Sequence, residues 1–304
     1  MSGQRQSYSG VLTMVEFIRL IFNSLETGSV YALASLGIVL IFRTSKTTNF
    51  AQGMIGTLNA YIAAIILFNQ GLNIWWVTFI ALITAFVTGI FIDYFMIRPA
   101  RKSAAMSKQI ITLGIIMIII GIIPFIFGVN FFQLPSFFPT GSIRIFGAGL
   151  RYNTIFIIGI SSALMLFMFW FIQKTRWGLA IRVTAADEET SRLMGVPTQT
   201  VTMMSWAFAA MLATLAGIFV APRVSVQPNM LLNVQVSAFF ASTLGGFSTF
   251  LGPVVGSYLI AFLRNVMSFY ISDIWGNVIV YSFVLVLLYF KPYGLFGKKP
   301  QKKV

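Results

Sequence analysis

The chain contains no cysteine and no histidine in its 304 residues. Without cysteine it can form no disulfide and has no thiol nucleophile. Without histidine it lacks the commonest metal ligand and the commonest general base. No Gly-x-x-x-x-Gly-Lys-Ser/Thr motif occurs, so the chain has no phosphate loop for ATP. We therefore expect no metal site, no cofactor and no enzymatic activity.

Charged residues are scarce. They make up 9% of the chain, against about 25% in soluble globular domains, whereas 58% of the residues are hydrophobic. A membrane-spanning helix needs about 20 mostly apolar residues, because its backbone polar groups have no water partner in lipid. Long stretches carry no Asp, Glu, Lys or Arg: 47–92, 109–143, 152–173, 193–222, 224–263 and 274–290. A polytopic membrane protein follows.

The apolar stretches predict an all-α, polytopic helical bundle of about eight transmembrane helices, forming a single domain over 1–304. We expect broken or re-entrant helices near 43–56 and 244–256, and an ordered extracytoplasmic loop over 130–151, which is rich in proline and glycine. The predicted spans are 14–42, 51–68, 74–97, 109–129, 152–173, 201–221, the broken pair 235–250 and 252–270, and 276–291.

The net charge of +14 is distributed between the apolar segments. The basic residues are not clustered with aromatic residues, which argues against a nucleic-acid partner. Loops rich in Lys and Arg stay in the cytoplasm. If the C-terminus is cytoplasmic, most basic residues, including those of the tail 291–304, lie on that side. Arg223 and Arg264 then lie outside or near the outer face. The N-terminus is then extracytoplasmic.

The longest polar interval, 174–200, has the features of a short cytoplasmic helix. Thr184 and Asp187 have the three-residue spacing of a capping box, in which each side chain satisfies a free backbone N–H. Gly195 stands where a left-handed residue ends a helix. These signals predict a helix from about Ala185 to Met194. From spacing alone, a docking site and a plain connector are equally open.

Polar and glycine residues inside the predicted spans mark candidates for a translocation path. On the second span Asn49, Gln52 and Asn59 recur at helical spacing and are expected on one face. That face could be a tight interface joined by amide hydrogen bonds or the lining of a path. The first span carries Asn23 and Glu26, and Glu26 could lie in the path or be solvated at the outer interface.

Glycines interrupt the last predicted pair of helices. A helix break at membrane depth is tolerated where the freed backbone groups are buried in protein or line a watery cavity, and such breaks often mark a transport path. The interrupting residues that we add to the path candidates are Gly245, Gly246 and Gly252.

Four motifs together resemble the permease subunits of the branched-chain amino-acid ABC importers. The first is Gly-Leu-Ala-Ile-Arg-Val-Thr-Ala-Ala-Asp at 178–187, continued by Leu-Met-Gly at 193–195. The others are Thr-Asn-Phe-Ala-Gln-Gly at 48–53, the glycine-rich stretch 244–256 and the ending Phe-Lys-Pro-Tyr-Gly-Leu-Phe-Gly at 290–297. Gln52 replaces a histidine of the family motif. The second and last motifs favour the H-type subunit over its M-type partner.

This resemblance implies a location in the cytoplasmic (inner) membrane of a bacterial cell, together with a function and partners. The chain would translocate branched-chain or related amino acids delivered by an extracytoplasmic binding protein, with urea or short amides also possible substrates within the wider family. It would pair with an M-type permease subunit or a second copy of itself, and with two ATPase subunits. The residues that would couple to the ATPase are Gly178, Arg182, Thr184, Ala186, Asp187, Leu193, Met194 and Gly195. The alternative is an ion-coupled secondary amino-acid transporter, for which Glu26 is the available intramembrane acid.

The charge distribution generates a test of the topology. A reporter that is active only in the cytoplasm, fused to the N-terminus, should give no signal, because the first span is expected to run inward from the outer side. The same reporter at the C-terminus should be active. A strong N-terminal signal would overturn this orientation.

Overall fold

The structure is a computed structural model that describes residues 2–101, 103–128, 130–145 and 147–297. The predicted basic tail therefore lies partly outside the described residues, from 298 onward. In chain order, the elements are α1 (Ser2–Ser45), α2 (Gln52–Gln70), α3 (Ile74–Ile92), which continues as a π-helical turn (Asp93–Ile97), α4 (Ala105–Phe127), β1 (Ser142–Ile145), β2 (Ala148–Arg151), α5 (Tyr152–Lys174), α6 (Arg176–Ala186), α7 (Glu188–Leu193), α8 (Thr198–Val224), α9 (Leu232–Gly245), α10 (Leu251–Tyr270) and α11 (Asp273–Phe290).

Eight of the described helices are long and apolar enough to cross a membrane. The predicted all-α polytopic class is confirmed, and the span bounds agree within a few residues. The loop over 130–151 contains a small antiparallel hairpin, in which Ser142 is opposite Arg151. The helix α8 is three residues longer at each end than the apolar window 201–221, because hydrogen bonding continues into the polar residues that flank it.

The helix α8 is central to the bundle and packs against α1, α2 and α3. Its buried face is rich in alanine, which lets neighbouring backbones approach closely. A Cβ atom at Gly56 of α2 would lie 2.5 Å from the carbonyl oxygen of Ala213, and one at Gly89 of α3 would lie 2.5 Å from that of Trp206. The two neighbouring helices therefore contact α8 backbone to backbone.

The first break separates α1 from α2 over residues 46–51. Lys46 has φ 52°, a left-handed conformation that ends α1. The Asn49 side-chain oxygen accepts the backbone N–H of Ala51 at 2.9 Å, just before α2 begins at Gln52. The break near 43–56 is confirmed. The prediction that Asn49 shares a helical face with Gln52 and Asn59 is wrong, because Asn49 precedes the helix and its amide stabilises the turn that starts it.

A re-entrant segment leads into α9. At the end of α8 the backbone of Val226 pairs with that of Phe132, in the loop after α4. Five residues later, Leu231 lies against Gly56 of α2 and Gly217 of α8. The helix α9 has 14 residues and is therefore about 21 Å long, which is shorter than the roughly 30 Å hydrocarbon core. It begins inside the bundle.

The second break lies over 246–250, between α9 and α10, as predicted near 244–256. Gly246 has φ 92°. The C-terminal segment closes this break, because the N–H groups of Leu295 and Phe296 donate to the carbonyl groups of Leu244 and Gly245 at 2.7 and 3.3 Å.

The second break lies at one end of the bundle. The Arg43 guanidinium is 4.5 Å from the ring centroid of Phe250, so the break is beside the end of α1. The segment α6–α7 is at the same end, because the Lys46 ammonium donates to the carbonyl of Ala185. After the predicted topology, we call this the coupling end and the opposite one the outer end.

The close contact of α3 with α8 generates a prediction. Gly89→Ala should lower the free energy of unfolding by about 1–3 kcal/mol, because the added Cβ meets backbone atoms that cannot yield without a shift of α3. Gly114→Ala on α4 is the matched control, since no atom lies within 4 Å of its Cβ position. It should be neutral or stabilising by up to about 1 kcal/mol, because alanine favours a helix. The thermal unfolding midpoint of the detergent-solubilised protein measures both. Equal midpoints would contradict the proposed contact.

Candidate functional site

A cluster of side-chain amides surrounds the first break. The Gln52 Nε2 donates to the carbonyl of Ala209 on α8 at 2.7 Å, and Asn49 Nδ2 donates to Gln52 Oε1 at 3.0 Å. Gln235 of α9 bridges the break, because its Oε1 accepts the N–H of Gly53 and its Nε2 donates to the carbonyl of Asn49 at 3.3 Å. Three helices are thereby joined to one short non-helical segment.

The amide cluster forms the tight interface that is one of the two alternatives predicted for these residues, because its buried polar groups hydrogen-bond to one another and to α8. Asn49 and Gln52 are fully buried. Asn59 lies two turns further along α2 and is buried separately, where its Oδ1 accepts from Thr84 at 3.0 Å. The role of the three residues as a path lining stays a prediction.

At the outer end, Glu26 forms a buried ion pair. It is 3% exposed, and its Oε2 accepts from Arg223 at 2.5 Å and from Thr154 at 2.6 Å. The alternative of a carboxylate solvated at the outer interface is wrong. The nearby Asn23 is exposed and lines two open cavities of about 540 and 590 Å³.

The predicted path candidates therefore lie in four places. Glu26 and Asn23 are at the outer end, the amide cluster is deeper in the bundle, and Asn59 is buried separately on α2. Gly245, Gly246 and Gly252 are at the coupling end, where their backbones pack against one another or the C-terminal segment. They position the second break rather than line an open cavity.

The segment 174–200 folds as two helices. Thr175 caps α6 by accepting the N–H of Gly178 at 3.0 Å, and a Cβ at Gly178 would overlap the last turn of α5. The turn from α5 into α6 therefore requires glycine. Arg182 on α6 is exposed.

The helix start predicted at Thr184 is wrong. Ala185 and Ala186 belong to α6, and the N-cap of α7 is Asp187, with φ −157°. Its carboxylate accepts the N–H groups of Glu189 and Thr190 at 3.1 and 3.0 Å, which is a stronger cap than a hydroxyl can provide. Thr184 is buried within α6, and its hydroxyl has no partner among the described residues.

The far end of α7 presents apolar side chains. Leu193 and Met194 are 83% and 79% exposed, and Met194 is the residue after the helix rather than part of it. Gly195 has φ 84°, so the predicted left-handed terminator is confirmed. The exposed pair is the largest apolar projection of this segment.

Two polar contacts hold α6 and α7 against the bundle. Arg101, after α3, forms a salt bridge of 2.5 Å with Glu188. The Lys46 ammonium donates to the carbonyl of Ala185. Burial, and next the positive charge of Arg43, lower the pKa of Lys46 below its usual value. The residue that ends α1 thus contacts the junction between α6 and α7.

Sequence reasoning missed Gln235, Arg223 and Arg264 as functional candidates. Each is polar or charged within a long apolar stretch or at its edge, and that is a signal for function inside a membrane. The charge count places the two arginines outside or near the outer face. Their positions on α8 and α10 show that they lie within helices.

Known proteins resemble the chain over nearly its whole length. The family model described as branched-chain amino acid transport system / permease component matches residues 20–289. The high-affinity branched-chain amino acid transport system permease protein LivH of Salmonella typhimurium is 26% identical over 95% of this chain and 98% of its own. Its counterpart BraD of Pseudomonas aeruginosa is 25% identical over the same shares. The probable branched-chain amino acid transport permease protein LivH of Methanocaldococcus jannaschii is 25% identical over 87% of this chain and 88% of its own.

One solved structure has a similar fold. It is titled PsaBC from Streptococcus pneumoniae in complex with Fab, and it covers 92% of this chain and 95% of its own with a TM-score of 0.51. The sequences are 11% identical, so the likeness bears on the fold alone.

The amide cluster generates a prediction for stability. Gln235→Leu should lower the free energy of unfolding by about 1–3 kcal/mol, because the Gly53 N–H and the Asn49 carbonyl lose their partner inside the bundle. Gln70→Leu, at the exposed end of α2, is the matched control and should change it little. Thermal unfolding in detergent is the measurement, and an unchanged midpoint for Gln235→Leu would refute the bridging role.

Proposed function

We propose a function for this chain, which belongs to the family of branched-chain amino acid transport system permease components. The eight long apolar helices make it a multi-pass membrane protein. As one transmembrane domain, it carries branched-chain or related amino acids across the cytoplasmic membrane, and separate ATPase subunits drive the transport. Relatives named as high-affinity branched-chain amino acid permeases support this substrate class.

The observation that carries the ATP-driven mechanism is the apolar tip of α7. Leu193 and Met194 project from the bundle on a segment held by the Arg101 to Glu188 salt bridge. Exposed apolar side chains on a fixed support are typical of a protein interface. Segment 174–200 therefore docks in the ATPase subunit, and α6 transmits the movement through Ala185.

The assembly has a defined orientation. The coupling end is cytoplasmic, together with the C-terminus, and the N-terminus is extracytoplasmic. At the outer end an extracytoplasmic binding protein delivers the amino acid. The second half of the translocation path comes from a homologous permease subunit, of the M type or a second copy of this chain, and two ATPase subunits bind at the coupling end.

Ion-coupled transport is less well supported. It would need a titratable acid that is free to gain and lose a proton within the membrane. Glu26, the residue considered for that role, is held in an ion pair with Arg223 and also accepts from Thr154.

The docking role generates a test. Met194→Asp should abolish co-purification of the ATPase subunits and uptake of L-leucine by the assembled transporter, because a charge replaces an apolar contact in the interface. Gln70→Asp is the matched control: it adds the same charge at the exposed end of α2, outside segment 174–200. It should leave both measurements unchanged. Full ATPase retention and uptake by Met194→Asp would exclude this docking surface.

A further inference from the structure

A cavity of about 200 Å³ lies between α1, α8, α9 and α10. It extends from Arg223 and Val224, in the last turn of α8, to Asn233 and Val234, in the first turn of α9. The cavity therefore extends from the outer end to the residues where the re-entrant segment enters α9. Gln235, the next residue of α9, binds the amide cluster. The cavity is thus directly above the first break.

The polar wall of the cavity holds charges of both signs. Glu26 and Arg223 both line it and pair with each other. Arg264 of α10 lines it too and donates to the hydroxyl of Tyr31. Within the described parts of the chain, no carboxylate forms a salt bridge with Arg264. The cavity therefore has one positive charge in excess, on a guanidinium whose protein partner is neutral.

A guanidinium at this depth favours an anionic ligand. Arginine binds carboxylates through two parallel N–H groups, and such charge-assisted bonds are stronger in a site of low dielectric. The start of α9 adds to this preference, because the N-terminus of a half-helix carries partial positive charge and is used in transporters to hold anionic substrate groups. A carboxylate is the anionic group that an amino acid presents.

Glu26 provides a site for the opposite charge. Its two hydrogen bonds both go to Oε2. Among the described residues none donates to Oε1, which leaves one carboxylate oxygen for an ammonium group. A zwitterion would thus find a partner for each of its charges in the same cavity.

The rest of the wall is aliphatic and aromatic. The apolar residues that line the cavity are Val30, Phe219, Val220, Val224, Met230 and Val234. Such a surface gains free energy by covering a branched aliphatic side chain. The size agrees, because a cavity of about 150 Å³ holds benzene with its six carbon atoms, so 200 Å³ accommodates roughly eight non-hydrogen atoms. Valine has eight and leucine nine.

We infer that this cavity is a binding site for a zwitterionic α-amino acid with a branched aliphatic side chain. The carboxylate binds Arg264, the ammonium binds Glu26, and the side chain packs against the apolar wall. This inference rests on the proposed function and deepens it: the permease itself recognises the substrate, in addition to the binding protein that delivers it.

The absence of cysteine from the chain allows a direct test in the assembled transporter. Asn233→Cys places a single thiol at the cavity, and the mass of this chain reports its modification by a methanethiosulfonate reagent. L-leucine at about ten times its half-saturating concentration should slow the modification about tenfold, by occupying the cavity. Leucinamide, which lacks the carboxylate, should protect far less. A thiol that is not modified at all, or is modified at the same rate with and without L-leucine, refutes the site.

A second substitution in the Asn233→Cys chain distinguishes a role of Arg264 in ligand binding from a structural role. In the Asn233→Cys chain, Arg264→Gln should remove the protection by L-leucine, whereas Tyr31→Phe should largely keep it, because the guanidinium remains. Equal loss in both would mean that Arg264 acts only through its bond to Tyr31, and the inference would fail. Arg144→Gln, on the exposed hairpin strand β1, is the matched control and should keep full protection. Retained assembly with the ATPase subunits verifies that each variant folds.

Uptake distinguishes this inference from the proposed function. If the unsubstituted complex takes up L-leucine but L-leucine does not protect Asn233→Cys, the cavity is not the binding site and the function stands. If the complex takes up no L-leucine or other branched-chain amino acid, the proposed substrate class is wrong and the inference falls with it. Uptake together with protection that depends on Arg264 supports both.

Discussion

A break in a membrane helix frees backbone N–H and C=O groups that lipid cannot satisfy, and the bundle is arranged around two such breaks. At the first, one glutamine side chain, that of Gln235, accepts from Gly53 and donates to Asn49. At the second, the backbone of the C-terminal segment 291–297 binds the last carbonyl groups of α9. The helix α9 takes part in both. Its short length and its start inside the bundle follow from serving two breaks at once.

This arrangement connects the two ends of the molecule through few contacts. Val234 lines the cavity of about 200 Å³, while its neighbour Gln235 binds the first break. At the other side of that break, Lys46 donates to Ala185, between α6 and α7. A displacement of α9 along its axis would therefore change the cavity and the break together. Helices in backbone contact have little room to deform. We therefore expect such a displacement to move whole helices as rigid bodies rather than to change side chains locally.

The fold could be predicted from the sequence because hydropathy alone determines where a helix can cross a membrane. The spans, both breaks and the family resemblance are confirmed. Local errors arose where tertiary contacts decide between similar signals. Thr184 and Asp187 both match an N-cap, and the structure uses Asp187, whose carboxylate accepts two N–H groups. Asn49 has helical spacing to Gln52, yet it precedes α2 because Lys46 has already ended α1.

The candidate site was harder to predict, because its residues are paired across long stretches of sequence. A carboxylate inside a span is noticeable in any sequence, as Glu26 is, but its partner Arg223 is 197 positions away. Charge counting also places every arginine only on one side of the membrane or near one face of it. That rule describes how a helix is oriented during insertion, where the helix is treated alone. The rule takes no account of a guanidinium that contacts another helix, as the guanidinium of Arg264 contacts Tyr31. An arginine several residues inside a predicted span is therefore better interpreted as one member of an interacting pair than as part of a loop. The other member is a residue of another helix or a ligand that the helices enclose.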